Sequence, residues 1–385
     1  MTDGIGSAAE LRAAAAKFTD LSDFGDGSGD SHDAGLDAVL ASYASDESLT
    51  PKGVKAATAQ LRGALMARLL SQSAWATHPE HADVAIERPI FVTGLPRTGT
   101  TALHRLLVAD PSHQGLELWL SQVPQPRPPR DTWDENPMFQ MIAGSVRRHS
   151  VSRPEFLGVH ELGAGQVEEC WQLLRQSFRS VSFECLAHLP SYSSWLAREN
   201  WTAAYRRHRR NLQLIGLHDA GQRWVLKNPS HLFALDALLS VYPDALVVVT
   251  HRSPRTAIAS ACSLAAQATA GWSEVFCGDV IGRDQLSLWA RGLETFNRAR
   301  TRYDQARFYD VSYEDFVADP LGTVASVYAH FGLPLTPEAS GAMRAVVSET
   351  ALTRPGAAAR SAHRYSLADF GLTDEQVDER FAGLA

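Results

Sequence analysis

The stretch PIFVTGLPRTGTTALHRLL, residues 89–107, changes pattern twice and thereby predicts the fold class. The apolar run 90–93 is too short for a helix and predicts a buried strand. A turn containing Gly94 and Gly99 follows. After that turn, leucines recur at helical spacing, at Leu103, Leu106 and Leu107. Strand, glycine-containing turn and helix in this order are the first half of a βαβ unit, which indicates a parallel sheet.

The turn itself, GLPRTGTT at 94–101, is close to the phosphate-binding pattern G-x-x-x-x-G-K-[ST], but Thr100 stands at the lysine position. Backbone N–H groups at the start of the helix still favour an anion there. Further donors come from one arginine and three hydroxyls: Arg97, Thr98, Thr100 and Thr101. The pattern therefore predicts a phosphate site, and the alternative is a plain strand-to-helix turn capped by a threonine.

The strands that follow do not supply the acidic residue that nucleoside triphosphate enzymes use to hold Mg²⁺. They end in Lys227-Asn228 and in Thr250-His251-Arg252, and the nearest carboxylate candidate is Asp310. Ser260 lies eight positions after Arg252, about two turns along the next predicted helix. A lone arginine at a strand end is usually a surface ion pair. Together with the loop, Arg252 and Ser260 instead predict a ligand with two separated phosphates.

The rest of the chain predicts a P-loop-like, three-layer α/β/α fold with a central parallel sheet. Further strands are predicted at 224–227, 245–249 and 308–311, with helices between them. We expect residues 1–87 to form a helical N-terminal extension and 88–385 to form the α/β domain. The proline-rich segment 122–137 predicts a long surface loop.

Composition narrows the function classes. The 385 residues carry a formal net charge of −7, which argues against binding to nucleic acid. The polar run YRRHRR, 205–210, predicts the solvated face of a helix instead. Four scattered cysteines indicate neither a zinc site nor a disulfide framework, and no apolar run is long enough to span a membrane. We expect a cytoplasmic protein without a bound metal.

The combination of FVTGLPRTGTTALHRLL with VVVTHRSPRTAIAS resembles the sulfotransferases that use 3′-phosphoadenosine 5′-phosphosulfate (PAPS), in particular their bacterial branch with R-[ST]-G-T-T loops. The segments RWVLKNPSHL and RFYDVSYEDFVADPLGTVASVYAHFGL are similar to later parts of that family. The resemblance implies transfer of a sulfuryl group from PAPS to a hydroxyl, with release of adenosine 3′,5′-bisphosphate.

The resemblance also implies roles for particular residues. The loop, from Pro96 to Thr101, would bind the 5′-phosphosulfate, and Arg252 with Ser260 would bind the 3′-phosphate. Arg97 and Lys227 would neutralise charge on the transferring group. A basic segment near the C-terminus closes over the 3′-phosphate in this family, which implies the same role for Arg360 or Arg364.

The acceptor must lose a proton, so a general base is needed near the sulfur. The segment GVHELGAGQVEECWQLL offers three candidates at the start of a predicted helix: His160, Glu168 and Glu169. On that helix Glu168 would border the apolar stripe and Glu169 would point further away. The alternative is a first helical turn made acidic to suit the helix dipole.

The aromatic segment 171–201 and the proline-rich loop predict an acceptor pocket for an apolar or aromatic alcohol, such as a small molecule or lipid. Two other functions stay open at this stage. One is a P-loop kinase for small molecules that uses ATP–Mg²⁺, and the other is a nucleotide-binding regulator without catalysis. The sequence leaves the oligomeric state open, a homodimer included.

Overall fold

The computed structural model describes residues 4–25, 32–152, 163–349 and 366–384. Five strands are present in these ranges: β1 Ile90–Gly94, β2 His113–Gln114, β3 Arg223–Lys227, β4 Leu246–His251 and β5 Phe308–Ser312. The helices before β3 are α1 Ala8–Thr19, α2 Asp33–Asp46, α3 Pro51–Thr77, α4 Thr100–Val108, α5 Leu118–Gln122, α6 Pro137–Ser152, α7 Trp171–Arg175, α8 Pro190–Leu196 and α9 Thr202–Ile215. Those after β3 are α10 Leu235–Val241, α11 Pro254–Ala268, α12 Gly278–Arg300, α13 Tyr313–Ala318, α14 Pro320–Phe331, α15 Pro337–Glu349 and α16 Asp374–Phe381.

The five strands form one parallel sheet in the order β2-β3-β1-β4-β5. In the register of the central strand, Phe91 lies opposite Leu226 on β3 and Val247 on β4. The carboxyl ends of β3, β1 and β4 therefore meet at one edge, where ligands of open α/β sheets bind. This arrangement places Lys227 on one side of the β1–α4 loop and Arg252 on the other.

Helices cover both faces of the sheet, as predicted. Alternate residues of β1 point to opposite faces, because side chains alternate along a strand. Ile90 and Val92 join a hydrophobic cluster with Leu106 on α4 and Val327 on α14. Phe91 joins a second, larger cluster on the other face. The three-layer α/β/α prediction is confirmed.

The N-terminal helices pack into that larger cluster. Leu36 on α2 and Leu61 on α3 are fully buried in the same cluster as Phe178. The backbone N–H of Thr50 donates to Trp272 O at 2.9 Å, which ties the start of α3 to the turn after α11. We propose that residues 1–87 are an extension folded against the α/β domain, with the boundary near residue 88.

Two expectations about exposure are correct only in part. Most aromatics of the segment 171–201 are core residues: Phe178, Phe183, Tyr192 and Trp201 are at most 4% exposed, so they cannot line an open acceptor pocket. They serve packing between α7, α8 and the N-terminal helices instead. On α9, Arg206 and Arg210 are exposed as expected, but Arg207 and His208 are buried. Arg207 donates to Gln176 Oε1 and lies over the Trp75 ring, so its charge faces inward.

The segment 122–137 is a connection without strands, as expected, but a 3-10 turn interrupts it at Arg130–Glu135. Trp133 in this turn is buried and packs edge-on against Trp119. Arg127 forms ion pairs with Glu117 and Asp219. These contacts fasten the segment to the domain. No helix in the described ranges is both long and apolar enough to cross a membrane.

Candidate active site

The loop between β1 and α4 requires its two glycines. Gly94 has φ +145° and Gly99 has φ +89°, backbone conformations that residues with a side chain rarely adopt. A Cβ at Gly94 would lie 2.5 Å from Thr250 O, and one at Gly99 would lie 3.0 Å from the Tyr313 ring. Glycine at these positions lets the loop lie against β4 and α13.

The loop leaves three backbone donors unbonded at the start of α4. Within the described part of the chain, no acceptor bonds the backbone N–H groups of Gly99, Thr100 or Thr101. These groups stand at the N-terminus of α4, where the helix dipole adds partial positive charge. The Thr98 hydroxyl is already hydrogen-bonded within the protein. It donates to Leu95 O at 2.7 Å and lies 2.5 Å from Thr250 Oγ1. Thr98 therefore closes the loop with its side chain.

On the β4 side of the loop, three predicted residues come together. The Nε of Arg97 donates to Ser260 Oγ at 3.2 Å, and Nη1 of Arg252 donates to Arg97 O at 3.1 Å. Arg97 has φ +69°, a left-handed conformation that turns its carbonyl toward Arg252. Two guanidinium groups and a hydroxyl thus form a positive cluster beside the loop, although Ser260 is eight residues from Arg252 and 163 from Arg97.

Sequence reasoning missed the residue that supports this cluster. The guanidinium of Arg252 lies 3.9 Å from the centroid of the Tyr313 ring, a cation–π contact. The same ring packs against Gly99. Tyr313 therefore contacts both the loop and the arginine that the sequence predicts to bind phosphate. It belongs to the segment VSYEDF, and nothing in the spacing of that segment to Gly99 or Arg252 signals the contact.

On the β3 side, Lys227 connects the loop to a carboxylate. Its ammonium forms an ion pair with Glu169 and donates to Thr101 Oγ1 at 3.2 Å. The side chains of Lys227 and Glu169 are only 2% and 13% exposed, so the pair is largely removed from water. An unpaired charge here would cost much more than at the surface. The geometry therefore brings a cation, a carboxylate and a loop hydroxyl to one point.

The backbone on either side of Glu169 holds it over Lys227. The N–H of Glu168 donates to Leu116 O at 2.8 Å, and the N–H of Cys170 donates to Lys227 O at 3.2 Å. Glu168 and Glu169 precede α7, which begins only at Trp171, so the expected helical turn is wrong. The helical-face argument that favoured Glu168 over Glu169 fails with it, because neither residue lies on the helix.

A buried histidine lies behind Lys227. His104 on α4 donates from Nε2 to Val225 O at 3.0 Å, since a carbonyl oxygen can only accept. Burial, and then the positive charge of Lys227, lower the pKa of His104 to about 3. His104 is therefore neutral at physiological pH and adds no charge to the site.

Asp310, the one candidate for a metal-binding carboxylate, is already engaged. Burial alone would raise its pKa, but hydrogen bonds from Arg300 and His251 hold the pKa of Asp310 below its usual range. Arg300 donates to both of its oxygens, at 2.8 and 2.7 Å. A carboxylate held by two such partners is a poor ligand for Mg²⁺, which disfavours the kinase alternative.

Three predicted site residues, His160, Arg360 and Arg364, lie outside the described residues. Of the others, the structure gathers Arg97, Arg252 and Ser260 on one side of the loop. It gathers Lys227, Glu169 and Thr101 on the other.

Comparison with known proteins identifies the family of the chain. A sequence profile of the Sulfotransferase family matches residues 89–337, more than half of the chain. The chain is 26% identical over 260 residues to the omega-hydroxy-beta-dihydromenaquinone-9 sulfotransferase Stf3 of Mycobacterium bovis and of Mycobacterium tuberculosis. That similarity covers 65% of this chain and 64% of each relative, so the chain spans somewhat under two thirds of their length.

Solved structures are similar along nearly the whole chain. The sulfotransferase STF1 from Mycobacterium tuberculosis shares 57% identity with a TM-score of 0.91, and 99% of each chain is covered. The sulfotransferase STF9 from Mycobacterium avium shares 28% identity with a TM-score of 0.87, covering 99% of this chain and 96% of its own. The fold and the profile match agree, and the chain belongs to the sulfotransferase family.

Proposed function

We propose that this enzyme transfers a sulfuryl group from PAPS to the hydroxyl of an apolar or aromatic acceptor, a small molecule or a lipid, and releases adenosine 3′,5′-bisphosphate. The observation that carries the proposal is the arrangement of cations around the β1–α4 loop. Arg97 and Arg252 lie on its β4 side and Lys227 on its β3 side. A donor with two separated anionic groups suits a site that has cations on both sides of the loop.

The donor's two ends fit different parts of the site. The unbonded N–H groups of Gly99, Thr100 and Thr101 suit the 5′-phosphosulfate. Arg252 and Ser260 suit the 3′-phosphate, because the arginine fork pairs with phosphate oxygens. Arg97 was expected at the sulfuryl group, but its contact with Ser260 favours a position between the two ends. Pro96 contributes no N–H and shapes the turn.

Transfer requires a base for the acceptor hydroxyl and stabilisation of the bisphosphate as it leaves the sulfur. We assign the base to Glu169, whose carboxylate would take the proton as the acceptor oxygen bonds to sulfur. The bond from sulfur to the 5′-phosphate oxygen breaks, and its electron pair stays on the bisphosphate. Lys227, beside Thr101, would neutralise the charge that develops on that oxygen. Glu168 and His160 become the less favoured candidates for the base.

The acceptor class rests on two kinds of support. Trp171, two residues after Glu169, is partly exposed and offers an aromatic surface next to the proposed base. The Stf3 relatives are named for action on a hydroxylated menaquinone derivative, which is an apolar molecule with a hydroxyl. We therefore favour a lipid or other apolar alcohol.

Thermal unfolding with ligands tests the proposal against the kinase. Adenosine 3′,5′-bisphosphate should raise the melting temperature without Mg²⁺, whereas ATP–Mg²⁺ at equal concentration should not. Stabilisation by ATP–Mg²⁺ alone would contradict the donor assignment. Incubation with PAPS and a panel of lipid and phenolic alcohols then separates an enzyme that uses PAPS from a protein that only binds the nucleotide.

A further inference from the structure

A second positive surface lies away from the candidate active site. Helix α9, the end of α10 and the turn before β1 enclose an open groove of about 810 Å³. We call it the α9 groove. Its lining includes three arginines of α9 and four neutral polar residues: Arg206, Arg209, Arg210, Asn200, Thr202, Gln213 and Ser240.

The topology separates this groove from the sulfuryl-transfer site. Helix α10 runs from the carboxyl end of β3 back toward the amino end of β4, and Ser240 and Val241 are its last two residues. Ala82, which also lines the groove, precedes β1 by eight residues. The α9 groove therefore lies toward the amino edge of the sheet, whereas the loop, Lys227 and Arg252 lie at its carboxyl edge.

Two of the three groove arginines have no charged partner in the part of the chain that the structure describes. Arg206 and Arg209 donate no hydrogen bond and form no ion pair there, whereas Arg210 is engaged. No aspartate or glutamate lines the groove. Glu80, on the neighbouring turn, lies 3.4 Å from His78 Nδ1. On a chain with a net charge of −7, a concave surface with three arginines and no carboxylate is a marked local excess of positive charge.

The spacing of the arginines suits closely spaced phosphates. Arg206 and Arg209 are three residues apart on one helix, which places their Cβ atoms about 5–6 Å from each other. Arg210 lies over the Trp75 ring at 4.1 Å and donates to His81 Nε2, so it is held at the edge of the groove. The arginine guanidinium can form bidentate hydrogen bonds with phosphate oxygens.

We propose that the α9 groove binds an anion carrying one or more phosphate groups, through Arg206 and Arg209, independently of the active site. The bound anion supplies the negative charge that the chain itself lacks there. The phosphate belongs either to a soluble phosphorylated molecule or to a lipid headgroup. The two sources share the same recognition by arginine and are separated by experiment.

Equilibrium dialysis of the 385-residue protein with radiolabelled inorganic pyrophosphate tests the proposal. Saturating adenosine 3′,5′-bisphosphate, present throughout, fills the active site. We expect one pyrophosphate per chain under this condition, with affinity falling as salt increases. The double variant Arg206→Gln/Arg209→Gln should bind at least tenfold more weakly. The double variant Lys55→Gln/Arg62→Gln is the control. It also removes two positive charges, but from exposed positions on α3, and it should bind pyrophosphate like wild type.

Sedimentation with vesicles of anionic phosphatidylglycerol identifies the source of the phosphate. Co-sedimentation that pyrophosphate displaces and that the α9 double variant loses indicates a lipid headgroup, whereas pyrophosphate binding without co-sedimentation indicates a soluble ligand. The proposal is overturned if wild type does not bind pyrophosphate, or if the α9 and α3 double variants bind it equally. Melting temperatures confirm that each variant is folded.

Discussion

Glu169 and Lys227 form a largely buried ion pair across 58 residues of sequence, at the carboxyl end of β3 and next to Thr101 of the β1–α4 loop. The pair joins a carboxylate that can accept a proton to a cation that can stabilise a leaving group. Both functions depend on the segment before α7, whose backbone is bonded to Leu116 and to Lys227 itself.

Glu169→Gln removes the proposed base with little change in shape. We expect kcat to fall by about 10²–10⁴-fold, the range typical of a lost general base. Binding of adenosine 3′,5′-bisphosphate, measured by calorimetry, should stay within about threefold, since Glu169 is not a proposed phosphate contact. Glu168→Gln is the matched control and should keep most activity. A larger loss for Glu168→Gln would transfer the role to that residue.

Lys227→Met leaves the Glu169 carboxylate buried without its partner. Removing one partner of such a pair should lower the free energy of unfolding by about 3–5 kcal/mol. Urea titration measures this change. The double variant Lys227→Met/Glu169→Gln should recover most of this stability, because no charge is left unpaired. Its activity should stay at the level of the single variants. Recovery of activity would show that Lys227 serves only to balance Glu169.

Arg252 and Tyr313 are expected to act together on the 3′-phosphate. Arg252→Gln should weaken binding of the bisphosphate by at least tenfold, because a charged hydrogen-bonding partner is lost. Tyr313→Leu removes the ring beneath Arg252 and should cost about 2–30-fold, as expected for a cation–π contact of about 0.5–2 kcal/mol. Tyr313→Phe keeps the ring and should bind like wild type. Equal losses in the Phe and Leu variants would assign the effect to the hydroxyl.

The two loop glycines should resist substitution, whereas a helical glycine should not. Gly94→Ala would place a Cβ 2.5 Å from Thr250 O at φ +145°, so both stability and nucleotide binding should fall. Gly63 lies within α3, and a Cβ added there would have no neighbouring atom within 4 Å. Gly63→Ala should stabilise the protein by about 0.5–1 kcal/mol in urea unfolding. A neutral Gly94→Ala would contradict the close approach of the loop to β4.

Acid should destabilise the fold before most carboxylates titrate. Burial lowers the pKa of His104 and of His208 to about 3, from an ordinary value of about 6.5. Between these values the unfolded chain binds protons that the native protein does not. The free energy of unfolding should therefore fall as the pH drops from about 6.5 toward 3, by about 1.4 kcal/mol per pH unit for each histidine.

Urea unfolding at pH 7, 6 and 5 measures this dependence, and burial of His231, which lowers its pKa, adds to it in the same direction. His208→Gln should flatten the slope relative to wild type, whereas the exposed His218→Gln should leave it unchanged. Stability that is constant or increasing on acidification would show that these histidines are protonated in the native state.

The sequence alone determined the fold class and which cations lie at the carboxyl edge of the sheet. The alternation of short apolar strands with helices restricts the chain to a parallel, helix-covered sheet, because strand and helix periodicities are local properties. Arg252, Ser260 and the β1–α4 loop could be predicted because each belongs to a strand end or a helix start. The ends of neighbouring parallel strands necessarily meet at one edge.

Only the tertiary structure decided which carboxylate faces Lys227 and which aromatics are buried. Glu168 and Glu169 are adjacent, and the choice between them depends on whether the segment is helical. Its conformation comes from backbone hydrogen bonds to Leu116 and Lys227, which no local pattern encodes. In the same way, the local sequence predicted that Phe178 would line an acceptor pocket and that Arg207 would be solvated. Helices from distant parts of the chain bury both residues. Long-range packing settles such choices, because burial is a property of neighbours that local sequence does not contain.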